Sequence, residues 1–151
     1  MRGTFNNYIE QTLPRATSTT GWLTYKSSYG YAIKYPPNLS VFSCMNGLQV
    51  NFSLAITSKA DCDAPFKADL FIVGPDANEN NVAYLPAGET TLVGPFRLSN
   101  VTATYYIIKD EGTLQDDIVI YHEGLYYDMV FDSGASTTLY EDVAQTFSFN
   151  H

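Results

Sequence analysis

Polar and apolar residues alternate along most of the chain, and helical spacing shows only near its two ends. Trp22–Tyr25 is a short β run followed by turn residues Ser27, Ser28 and Gly30. Tyr31–Tyr35 alternates, and Pro36-Pro37 stops it because proline has no N–H for a ladder. Leu48–Thr57 predicts a longer strand with Leu48, Val50, Phe52 and Leu54 on one face. Asp69–Val73 predicts another, closed by Gly74-Pro75, and residues 74–90 read as the longest irregular stretch. Asn100–Lys109, Asp117–His122 and Leu125–Phe131 form an antiparallel meander, with hairpin-length connections at Asp110–Gln115 and Glu123-Gly124. In its third strand Leu125, Tyr127, Met129 and Phe131 face inward, and Asp128 and Asp132 face out.

The ends differ. Phe5, Tyr8, Ile9 and Leu13 recur at helical spacing up to Pro14, with Thr4 as a possible cap, and Arg15–Thr20 reads as a polar linker. Near the other end Thr138 and Glu141 make a capping box, and Tyr140, Val143, Ala144 and Phe147 give the apolar stripe of a helix. Phe147-Ser148-Phe149 then reads as a last edge strand.

Composition narrows the class. The chain has 151 residues, long enough for one domain with a real core, and its 45% apolar content excludes intrinsic disorder. A net charge of −8 argues against a nucleic-acid binder, which needs clustered Lys and Arg. The charge is graded: +4 over residues 1–60, −3 over 61–109 and −9 over 110–151, where no Lys or Arg occurs. Cys44 and Cys62 are the only cysteines, and a disulfide between them would add about 3 kcal/mol by loop entropy; two buried thiols are the alternative. Low charge (16%), abundant neutral polar residues and sequons at Asn38, Asn51 and Asn100 suit an exported protein. No apolar stretch follows Met1-Arg2-Gly3, so a start after a removed signal or anchor is expected.

Two segments resemble a family. Gly21–Val41 (GWLTYKSSYGYAIKYPPNLSV) is similar to the opening of PsbP-like domains of bacterial exported lipoproteins, with a Trp-x-x-Tyr strand, a turn and a Tyr-Pro strand. Leu139–Phe149 (LYEDVAQTFSF) resembles their terminal helix and strand, although Leu39 stands near a usual Trp and Ser148 where Lys is common. The resemblance implies an α+β fold, an α/β/α sandwich around a twisted, mostly antiparallel sheet, over residues 21–151 after the helix and linker of residues 1–20. It also implies an extracytoplasmic, membrane-tethered protein with a protein partner, and it does not imply an enzyme.

Candidate chemistry is sparse. His122 shares a strand face with Ile118 and Ile120 and reads as a strand-end residue rather than a base; no nucleophile constellation or phosphate loop accompanies it. Asp76, Asn78 and Asn80 alternate as Ca²⁺ ligands do, with Asn81 at the turn position, but Ala87 stands where a bidentate Glu belongs. Asp110, Glu111, Asp116 and Asp117 read as an acidic hairpin that solvent, a cation or a basic partner would neutralise. With twelve Tyr, adjacent pairs such as Tyr105-Tyr106 and Tyr126-Tyr127 must split between the faces of their strands. Tyr106 and Tyr126 are the candidates for a contact surface, for protein or for a small ligand or carbohydrate. The expectation is a non-enzymatic interaction module without cofactor; a sugar binder and a Ca²⁺-dependent module are the alternatives.

Overall fold

The computed structural model describes residues 19–53, 70–83, 89–98, 101–110, 113–131 and 138–149. The expected N-terminal helix, Leu54 and Cys62 lie outside them, as do Glu111, Ala87 and Asp132.

Ten strands and one α-helix form among the described residues: β1 Leu23–Lys26, β2 Tyr31–Tyr35, β3 Ser40–Cys44, β4 Gln49–Ser53, β5 Leu70–Asp76, β6 Thr90–Leu98, β7 Val101–Asp110, β8 Thr113–His122, β9 Leu125–Phe131, α1 Thr138–Gln145 and β10 Ser148–Phe149. They make two antiparallel sheets, a three-stranded one ordered β1-β2-β10 and a seven-stranded one ordered β3-β4-β5-β9-β8-β7-β6. This mostly-β architecture overturns the expected α/β/α sandwich. The reason lies in two segments whose local pattern predicts no strand. Ser40–Cys44 pairs with β4 and extends the large sheet beyond the expected strands. Thr90–Leu98 carries Gly94-Pro95 at its centre, which reads as a breaker; the register shift between Leu92 and Gly94 absorbs it, and an edge strand tolerates proline.

One face of the large sheet packs against the small sheet and α1. Val50, Phe52, Leu70, Ile72, Ile118, Ile120, Met129 and Phe131 supply its side of the core. Tyr31 and Ile33 of β2 and Tyr140, Val143, Ala144 and Phe147 supply the other, so the helical stripe is buried as its spacing predicts. Phe147 stacks on Tyr31 (centroids 5.1 Å apart), and Tyr127 meets Tyr31 edge-on at 5.8 Å. Thr146 ties the end of α1 to β2: its hydroxyl accepts the Lys34 N–H at 2.8 Å and donates to the Val143 carbonyl at 2.7 Å.

The second face is where alternation misleads. Gln49, Asn51 and Ser53 occupy the polar positions of β4, which a one-sided sheet would give to water, yet all three are buried. The Gln49 amide donates to Asn51 Oδ1 at 3.0 Å, and Asn51 in turn donates to Cys44 Sγ. Cys44 is disulfide-bonded. The segment after β5 folds back over this face: its 3-10 turn, Glu79–Asn81, lies against β9. Gly74 permits the close approach of β5 to β9 where their register shifts, since a Cβ there would stand 2.7 Å from the Tyr126 carbonyl oxygen.

Candidate functional site

The turn at Glu123-Gly124 sets the chemistry of the second face. Both residues have positive φ (53° and 83°), the geometry of a tight hairpin turn, and they fix His122 opposite Leu125. Counting back along the ladder, Asp117 stands opposite Val130 and Val119 opposite Asp128. Asp117 and Asp128 are therefore diagonal neighbours on one face. On the next strand Tyr106 stands opposite Asp117. Beyond β9 the row Tyr121, Tyr126 and Asp76 crosses β8, β9 and β5. The fold thus brings together Tyr106, Tyr126, Asp117 and Asp76 of the expected site residues, and adds Asp128, Tyr121 and Glu79.

Asp116 and Asp117 correct the solvated acidic hairpin. The connection is shorter than expected, because β7 and β8 pair as far as Asp110 and Thr113. Both residues consequently lie inside a strand, Asp116 at 0% and Asp117 at 1% exposure. Being adjacent, they point to opposite faces. Asp116 enters the main core, where the Tyr105 hydroxyl donates to Oδ1 at 2.8 Å. Asp128, expected to face water, is likewise buried at 1%.

The Asp117–Asp128 pair behaves as one unit. Burial pushes the Asp128 carboxyl well above the usual carboxylate range, and the charges of Asp117 and Glu79 push it further. Burial also raises Asp117, while hydrogen bonds from Asp128 and Gln115 oppose the rise. Gln115 Nε2 donates to Asp117 Oδ1 at 2.8 Å. Two adjoining buried carboxylates cannot both ionise at acceptable cost, so one proton is shared in the hydrogen bond between them, the stronger upward push falling on Asp128. The other Asp128 oxygen, Oδ1, has no hydrogen-bond partner among the described residues. Burial raises the Tyr106 hydroxyl as well, with Glu79 and Tyr126 adding to it.

The surface of this face is aromatic and acidic. Tyr121 is 58% exposed, and its ring centroid lies 4.8 Å from that of Tyr126. Asp76 Oδ1 accepts the Asn78 N–H at 2.8 Å and the Asn81 amide at 3.0 Å, and Asn78 Oδ1 accepts the Asn80 N–H at 3.0 Å. These bonds hold the Asp76 carboxyl below its ordinary value, the Asn78 N–H most of all. The Asp76 and Asn78 oxygens considered as alternative Ca²⁺ ligands thus also shape the turn. On the opposite face His122 stacks flat on Phe149 at 3.7 Å, with Glu123 3.5 Å from Nε2.

Sequence reasoning passed over Asp128, Tyr121 and Glu79. The signal for Asp128 was present: a two-residue Glu-Gly turn sets the register, and the register sets Asp128 beside Asp117.

No family model and no curated protein matches the chain. Among solved structures, a crystal structure from Bacteroides thetaiotaomicron VPI-5482 superposes with a TM-score of 0.50 at 12% identity, over 85% of this chain and 48% of that one. The chain spans about half the length of that protein, and at this identity the likeness is one of fold alone.

Proposed function

We propose that the chain is a non-enzymatic extracytoplasmic interaction module whose contact surface is the tyrosine-bearing second face of the large sheet. One observation carries the reading: Tyr121, on an interior strand of a seven-stranded sheet, is 58% exposed and backed by Tyr126. A large aromatic ring held open on a rigid strand suits a contact residue, since it offers area at little entropic cost. The oxidised Cys44 supports an oxidising compartment. Among the described residues no helix is long and apolar enough to cross a membrane. In the test, immobilised wild type and Tyr121→Ser are exposed to an extracytoplasmic extract. A protein retained by wild type and lost by the variant, at equal melting temperature, supports the reading. Equal retention by both, or none, refutes it.

The Tyr121–Tyr126 pair also favours a second reading, a carbohydrate platform on which sugar C–H faces stack. A glycan panel read by thermal shift separates the two: stabilisation by a glycan that disappears in Tyr121→Ser selects the second.

A further inference from the structure

The second face carries acid that no described residue near it neutralises. Asp76 and Glu79 belong to the segment folded over β9, and Asp117 and Asp128 to the strands beneath. Among the described residues none of the four makes an ion pair. The carboxyl of Asp128 is buried at 1% exposure, feels both Asp117 and Glu79, and has one oxygen without a hydrogen-bond partner among those residues. Half-buried Tyr106 and Tyr126 and exposed Tyr121 flank the same patch.

A cation satisfies every part of this combination. Phenol faces attract positive charge through their quadrupoles. The patch repels an anion, and a neutral sugar can donate hydroxyls to a carboxylate but brings no charge to offset four acids. Arginine fits better than a compact ammonium, since its flat guanidinium stacks on a ring while presenting two parallel donors to a carboxylate. The acids of residues 110–151, among which no Lys or Arg occurs, steer a basic segment toward the chain before contact.

We propose that this face receives an arginine side chain of a protein partner, the guanidinium held by Glu79 and stacked among Tyr106, Tyr121 and Tyr126. This rests on the interaction-module reading and names the group that the module takes.

The test uses the full chain and a fluorescein-labelled peptide containing two arginines, read by anisotropy in near-physiological salt. Its counterpart carries citrulline in place of arginine, the same shape without the charge. The arginine peptide should bind saturably and the citrulline peptide at least about tenfold more weakly, from the summed ion-pair and cation–π contributions. Glu79→Gln, which removes the ion pair and keeps the rings, should weaken the arginine peptide by about three- to fivefold. Asp142→Asn, the same charge change on α1 beyond the opposite face, should leave it within about twofold. No saturable binding, equal affinity for citrulline, or equal losses in Glu79→Gln and Asp142→Asn would overturn the proposal. The citrulline comparison needs no variant, so it decides even if Glu79→Gln unfolds. A partner retained through Tyr121 by a chain that ignores the arginine peptide would sink this inference and leave the interaction module standing.

Discussion

Replacing Asp128 with asparagine should change how stability depends on pH more than it changes the structure. In the folded chain the Asp117–Asp128 pair keeps one proton that both carboxyls give up near pH 4 once unfolded. A folded-state pKa raised above its unfolded value contributes stability that is complete below the unfolded value and is lost as pH rises toward the folded one. Within that window the native state holds one proton more than the unfolded state, so stability falls by about 1.4 kcal/mol per pH unit. Each pH unit inside that window therefore removes a sizeable part of the roughly 5–15 kcal/mol typical of a domain.

The asparagine side chain in the Asp128→Asn variant reproduces the neutral acid: its amide donates to the Asp117 carboxylate, and it has no proton to lose. The pair's slope should therefore vanish, so the variant gains stability relative to wild type as pH rises through the window. Asp76 works in the opposite direction. Its folded value is depressed, so its contribution is present above the unfolded value and lost as pH falls. Being common to both proteins, it cancels in the difference. Urea titrations at pH 5, 6 and 7 and constant ionic strength, extrapolated to water, give both profiles. Superimposable profiles, or an Asp128→Asn variant that loses stability relative to wild type as pH rises from 5 to 7, would refute the shared proton.

Phe147→Ala removes a fully buried ring stacked on Tyr31 and set edge-on to Phe149 at 5.2 Å; a loss of about 4 kcal/mol in chemical denaturation is expected. Thr146→Val deletes the hydroxyl joining α1 to β2 and should cost about 1–2 kcal/mol, with Thr146→Ser retaining most of the stability in the same assay. Gly74→Ala forces a Cβ to 2.7 Å from the Tyr126 carbonyl oxygen at a φ of 124°, and should cost about 3 kcal/mol, visible as a lower urea midpoint.

The elements legible in the sequence are those in which a single local rule decides. Tyr31–Tyr35 and Leu125–Phe131 begin and end where alternation and their bounding prolines or turns place them. The stripe of α1 is buried because 3.6-residue spacing leaves no other face apolar enough. Ser40–Cys44 and Thr90–Leu98 were illegible for different reasons. The first is short and follows Pro36-Pro37, and it gains its pairing from β4 rather than from its own pattern. The second contains Gly94-Pro95, whose meaning changes from breaker to bulge only at a sheet edge. For the site, alternation correctly splits Asp116 from Asp117 and Tyr126 from Tyr127. It cannot say that the second face is also buried around Asn51, Asp117 and Asp128, because that depends on what folds over it.

Polarity in that second face costs stability, and the cost can be located. A buried carboxyl pair is replaceable by apolar residues of similar volume at no loss, often at a gain, so hydrophobic burial does not explain Asp117 and Asp128. Asp116 is buried as deeply but on the other face, where Tyr105 donates to one of its oxygens. Among the described buried acids, the pair alone adjoins a surface with unneutralised carboxylates and three tyrosines. Sequences break local rules most often where a site is built, and Asp128 breaks two, lying in an apolar strand and beside a second acid. A positive group arriving at Glu79 would relieve both violations: it removes the repulsion Glu79 exerts on Asp128 and lowers the cost of ionising the pair. Binding there must then release protons, most strongly just below the pH at which the free pair gives its proton up, and Asp128→Asn must abolish that release while leaving Glu79 in place. A site that binds arginine without moving a proton would be independent of the pair beneath it, and the reason for two carboxylates in the sheet would have to be sought elsewhere.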